Sequence, residues 1–88
     1  MFDTNDATNA LATAGIDISD EQYTAEDVAK GMNVELEHGT QFPDLDVTGN
    51  DPVVTVKIAL AHLREFPDYY DRLAVMESEA ETAFERQG

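Results

Sequence analysis

Residues 51–73 read DPVVTVKIALAHLREFPDYYDRL, and this stretch decides the fold. Asp51 and Pro52 predict a helix start, because an aspartate side chain accepts from free backbone amides and proline lacks only a donor that has no partner there. Apolar residues then recur on two nearly opposite faces: Val53, Val56, Ala59, Leu60 and Leu63 on one, and Val54, Ile58 and Ala61 on the other. Such a helix belongs in the middle of a domain. The composition of residues 53–56 leaves a short strand as the alternative.

Phe66-Pro67 ends this helix, because the residue before a proline avoids the helical conformation. Pro67 can itself open a fourth helix, since its fixed φ suits the first helical position. Apolar residues then share one face for about five turns, which predicts a buried face: Tyr69, Leu73, Met76, Ala80, Ala83 and Phe84. We therefore expect Tyr69 to point into the core, and Tyr70 to lie at its border with a free hydroxyl.

Two helices are predicted upstream of residue 40. Thr24 can cap the longer one, which is expected to end at Gly39, and its apolar positions share one face: Ala25, Val28, Met32 and Leu36. Gly31 lies inside this helix at a cost of about 1 kcal/mol relative to alanine, so we expect either a close backbone there or a break in the helix. A shorter helix precedes it and ends at Gly15, a residue suited to a left-handed terminator.

Together these signals predict one all-α domain over residues 1–88, a small helical bundle of three main helices plus a short N-terminal helix. The third helix is expected to pack between the second and the fourth. A chain of this length has room for one modest hydrophobic core. The sequence contains no cysteine, which excludes disulfides, thiolate metal sites and a cysteine nucleophile.

The chain is strongly acidic, with 19 aspartates and glutamates against five lysines and arginines and a formal net charge of −14. Such a domain repels itself unless salt screens the charges, and at molar ionic strength the Debye length falls to about 3 Å. Because the acids are spread through the helical segments, they predict adaptation to a salt-rich cytoplasm. Divalent cations, nucleic-acid mimicry and a basic protein partner remain alternatives.

The same charge argues against nucleic acid and anionic membranes as partners, since both are negatively charged. No apolar run is long enough to span a bilayer. The acidic N-terminus has no apolar stretch behind it, so we expect no secretory signal and a cytoplasmic location.

Three blocks of sequence resemble a family of small uncharacterised proteins from prokaryotes and their tailed viruses. They are ELEHG at 35–39, the Asp51-Pro52 pair, and KIALAHLREFPDYYDRL at 57–73. The resemblance covers roughly residues 26–77. It implies no established activity, cofactor or catalytic residue, but it implies a setting among viral structural or accessory genes.

The two histidines, His38 and His62, both lie within these blocks. His62 and Glu65 are three residues apart on one helix face, and with His38 and either Glu35 or Asp68 their ligand types suit zinc or a related divalent ion. In the alternative interpretation, His38 complements the negative end of its helix and His62 satisfies its nitrogens at a half-buried position.

The loop after residue 39 carries Asp44, Asp46 and Thr48, which copy only the first half of a calcium loop. An Asx-rich turn leading to Asp51 is the better interpretation. The sequence contains no glycine-rich phosphate loop and no nucleophile turn around its serines, so no catalytic residue and no enzymatic activity are predicted.

We therefore expect a non-catalytic interaction or structural accessory module of a halophile or its virus, with association with the virion in the viral case. A protein partner is predicted, and self-association is left open. The expected contact residues are His38, Tyr70, Asp44 and Asp46. No cofactor is predicted, except in the alternative of a small divalent-metal-binding protein. Its ligands would be His38, His62 and Glu65.

Overall fold

A computed structural model of the chain describes residues 1–42, 44, 49 and 51–87, with side chains described up to Ala83. The described residues form four α-helices: α1 Thr4–Ala14, α2 Ala25–Gln41, α3 Pro52–Glu65 and α4 Tyr69–Gln87. They contain no β-strand, and residues 53–56 lie within α3. The all-α class is confirmed, and the alternative of a strand at 53–56 was wrong.

Helix starts lie where side-chain acceptors meet free amides. Asp51 Oδ1 accepts from the amide of Val53 at 2.8 Å, and Pro52 opens α3 as predicted. Thr24 Oγ1 accepts from the amide of Asp27 at 3.3 Å. The predicted terminator of the first helix is also confirmed, since Gly15 has a φ of 71°. These ends depend only on neighbouring residues, which is why local sequence signals predict them.

Two predicted boundaries were wrong. Helix α2 continues past Gly39 to Gln41, because Gly39 does not take the left-handed conformation that would end it. Pro67 and Asp68 form a turn between α3 and α4, and α4 begins at Tyr69 rather than at the proline.

The core is built chiefly by the first three helices and the connector between α1 and α2. Its buried apolar residues are Ala7, Ala10, Leu11, Tyr23, Val28, Ala29, Met32, Val56, Ala59, Leu60, Leu63 and Tyr70. Helix α3 packs on α2 and α4 as predicted, and it also packs on α1. The N-terminal helix is thus a full member of the core, and the chain before it is fastened to α2. The amide of Phe2 donates to Asn33 Oδ1 at 2.6 Å, and Asn33 Nδ2 donates to the carbonyl of Phe2 at 2.8 Å.

Helix α4 leaves most of its predicted apolar face uncovered. Tyr69 and Leu73 are half-buried, but Met76 is 57% exposed, and Ala80 and Ala83 are also exposed. The prediction that this face is buried over its whole length was therefore wrong. Among the described residues, α4 packs only on α2 and α3, and no further element covers its outer turns.

Candidate interaction site between α2 and α4

Tyr70 fixes the place where α4 meets α2. Its ring is only 3% exposed, whereas Tyr69 is half-buried, which is the reverse of the predicted orientation. The ring lies directly against Gly31. A Cβ atom at that position would overlap the ring, with Cδ2 and Cζ of Tyr70 only 2.9 Å away. Gly31 is therefore required by a side-chain ring; neither a close backbone nor a break in the helix accounts for it.

The hydroxyl of Tyr70 donates a hydrogen bond to Glu35 Oε1 at 2.9 Å. The side chain of Glu35 is itself only 15% exposed. Burial, followed by the negative charge of Glu35 and the hydrogen bond, raises the pKa of Tyr70 far above its ordinary value. The phenol thus stays protonated and acts as a donor. The prediction that this hydroxyl is free was wrong.

Two imidazoles lie beside the same carboxylate. His62 Nε2 is 3.6 Å from Glu35 Oε1, and His38 Nδ1 is 3.9 Å from Glu35 Oε2. The ring of His62 stacks on Tyr69, with centroids 4.3 Å apart and planes 6° from parallel. We call these five residues, Glu35, His38, His62, Tyr69 and Tyr70, the Glu35 cluster. It joins α2, α3 and α4 at one point.

The predicted metal ligands are only partly brought together. His38 and His62 both lie beside Glu35, whereas Glu65 is an exposed residue at the end of α3. Asp68 instead accepts from Arg72 Nε at 2.6 Å. The part of the chain that the structure describes contains no group of three or more histidine, aspartate or glutamate side chains arranged to hold a metal ion.

Sequence reasoning named Glu35 only as one of two neighbouring carboxylates. A stronger signal was available, because Glu35 continues the helical spacing of Val28 and Met32. A carboxylate on the apolar stripe of a helix requires a buried donor, and the Tyr70 hydroxyl is that donor.

Beside the cluster, residues of α2 and α4 line a groove of about 410 Å³, which we call the α2–α4 groove. Its lining is Val34, Glu37, His38, Gln41 and Phe42 on one side, and Glu77, Ala80 and Glu81 on the other. The Phe42 side chain is 51% exposed. His38 stands where the cluster meets the groove, with its Nε2 atom 3.9 Å from Glu77 Oε1. The groove therefore combines an apolar lining with carboxylates.

The carboxylates of the groove are not neutralised by lysine or arginine among the described side chains. The described lysine and arginine ion pairs all lie elsewhere: Lys30 with Asp71, Arg64 with Glu21, and Arg72 with Asp68. Among the described residues, Glu37 receives a hydrogen bond from Gln41 Nε2 at 3.4 Å. The groove is thus a local concentration of negative charge beside apolar side chains.

The predicted contact residues fall in different places. His38 lines the groove, Tyr70 is buried beneath it, and Asp44 is exposed beyond the end of α2. Asp46 and most of the half calcium loop lie outside the described residues. None of the described helices is both long enough and apolar enough to cross a membrane.

Comparison with known families supports the resemblance found in the sequence. A family model described as "Protein of unknown function (DUF5661)" matches residues 7–79. This range includes the whole Glu35 cluster and begins within α1, upstream of the blocks that carry the resemblance. Neither a curated protein nor a solved structure matches the chain. The chain belongs to the DUF5661 family, whose members share a domain of unknown function.

Proposed function

We propose that this protein is a non-catalytic interaction module that binds another protein in the α2–α4 groove. The observation that carries the proposal is the groove itself, whose apolar lining includes a half-exposed phenylalanine at the end of α2. Exposed apolar surface rimmed by polar residues is characteristic of protein interaction sites, and grooves between helices commonly accept a partner's helix.

The Glu35 cluster supports a binding role because its contacts fasten α2, α3 and α4 to one another beside the groove. Tyr70 is locked between Gly31 and Glu35, and His62 stacks on Tyr69. A groove that exists before the partner arrives loses less conformational entropy on binding. The cluster's buried hydroxyl donates inward to Glu35, which supports a positioning role rather than contact with a substrate.

We also propose the kind of cell in which this interaction takes place. Exposed carboxylates occur on all four helices, which supports adaptation to a salt-rich cytoplasm. Together with the implied viral context, this favours an accessory role in a halophile or its virus.

Site-specific photo-crosslinking in cells tests the proposal. A benzophenone amino acid replaces Ala80 in the groove or, as a matched control, Ala12, an exposed alanine on α1. We expect an adduct with a second protein from position 80 and not from position 12. An adduct with a second copy of this chain would identify self-association instead. Equal adducts from both positions, or none from position 80, would contradict the proposal.

The alternative of a small divalent-metal-binding protein stays a prediction from the sequence. Glu35 lies beside the imidazoles of both His38 and His62, although these three described side chains are not arranged to hold a metal ion. Elemental analysis of protein purified without chelators tests this function. A stoichiometric transition metal that is lost in the variant H38A/H62A would support it, and metal-free wild-type protein would contradict it.

A further inference from the structure

We infer that the occupant of the α2–α4 groove is a positively charged, amphipathic segment of a partner protein. This inference rests on the proposed function and adds the chemistry of the partner. It follows from three properties of the groove: its charge, its apolar lining and its length.

The charge of the groove calls for a cationic partner. Glu37 lies on its α2 side and Glu77 on its α4 side, with Glu81 one turn beyond Glu77, and no lysine or arginine pairs with them among the described side chains. Opposite charges in contact across an interface select the partner, and at contact distance they are screened by salt less than charges further apart. A second copy of this chain fits poorly, because it carries the same formal net charge of −14.

The apolar lining indicates that the partner contributes apolar side chains as well as positive charge. Val34 and Ala80 contribute apolar surface to opposite sides, and Phe42 stands exposed at one end. Apolar side chains of the partner would cover these residues, while the stems of lysine or arginine would lie along them. An arginine can also stack its guanidinium on the ring of Phe42.

The length of the groove limits the size of the segment. Its α2 wall extends from Val34 to Phe42, a distance of about 12 Å along a helix axis. About two helical turns of a partner would therefore occupy it, with one apolar side and one basic side.

Fluorescence anisotropy with a defined probe tests the inference. The probe is a labelled synthetic helix with lysines along one side and leucines along the other. It is titrated with the full-length chain and with two variants of equal net charge. The first, E37Q/E77Q/E81Q, removes the groove carboxylates. The second, D20N/E65Q/E79Q, removes three exposed carboxylates outside the groove, and none of the six residues caps a helix.

We expect the groove variant to raise Kd about tenfold, as for the loss of three exposed ion pairs, and the control variant to change it less than about twofold. The variant F42A should also weaken binding. Circular dichroism confirms that each variant is folded. Equal weakening by the two triple variants would overturn the inference. So would equally tight binding of a peptide with the same residues in shuffled order, which would indicate attraction by charge alone.

The crosslinking and anisotropy experiments distinguish failure of the proposed function from failure of this inference. If Ala80 crosslinks to a partner whose attached segment carries no net positive charge, this inference is overturned while the groove remains an interface. If Ala80 gives no adduct, the proposed function fails, whatever the synthetic peptide does.

Discussion

The substitution Gly31→Ala tests the contact on which the arrangement of α2 and α4 depends. In an ordinary helix this change would stabilise the protein by about 1 kcal/mol, because alanine has the higher helix propensity. Here the new methyl group would overlap the ring of Tyr70. The ring would have to move, and the hydrogen bond from its hydroxyl to Glu35 would be strained or lost.

The expected change in the free energy of unfolding follows from these opposing effects. Overpacking of a core costs about 1–3 kcal/mol, and losing a hydrogen bond to a charged group costs about 1.5–3 kcal/mol. After subtracting the gain in helix propensity, we expect Gly31→Ala to lower the free energy of unfolding by roughly 1.5–5 kcal/mol. Urea unfolding at constant salt, followed by circular dichroism, measures it.

A second background separates the ring contact from a general effect of residue 31. In the variant Y70L the aromatic ring is absent, so adding Gly31→Ala should be neutral or should stabilise the protein by up to about 1 kcal/mol. The destabilisation by Gly31→Ala is therefore expected to disappear or to change sign in the Y70L background. If Gly31→Ala destabilises Y70L as much as it destabilises the wild type, the reasoning about the ring is refuted.

Three further predictions concern other parts of the molecule. Because the folded pKa of Tyr70 is raised, its contribution to stability is present below the unfolded value of about 10 and is lost as pH rises beyond it. Melting temperatures between pH 8 and 11 should thus fall more in the wild type than in Y70F, and parallel curves would contradict this. Asn33→Ala should lower the free energy of unfolding by about 1–3 kcal/mol, since two hydrogen bonds to Phe2 are lost. Unchanged urea unfolding would show that these two bonds do not stabilise the fold. If salt screens the charge of −14, the melting temperature should rise steadily from low salt to molar KCl, and a constant value would refute that interpretation.

The helix ends were predictable where the chemistry is local. Thr24 and Asp51 each accept from an amide two or three residues away, so the sequence contains both partners. The end of α2 was not predictable in the same way. Glycine permits a left-handed terminator but does not impose one, and Gly39 remains helical.

The site was less predictable, because its contacts join different helices. Periodicity identified an apolar face on α4 but not what covers it, so Met76 and Ala80 were expected in a core that they do not enter. Whether Tyr69 or Tyr70 is buried depends on the space that Gly31 leaves for an aromatic ring. Gly31 is distant in the sequence, so the residues next to the two tyrosines do not indicate this space. The sequence placed His38 and His62 together in the hypothesis of a metal site. It did not identify Glu35 as the carboxylate beside both imidazoles, because these contacts depend on how the helices pack.

The contact between Tyr70 and Gly31 lies near the start of α4, so most of this helix extends beyond it. About 26 Å of helix extends beyond Tyr70, so a tilt of about 10° at this contact moves the far end by about 4–5 Å. A larger side chain at residue 31 that tilted α4 in this way would therefore change the separation of the two helices far from residue 31 itself. Bulkier side chains at this pair of positions should hold the far ends of the two helices further apart.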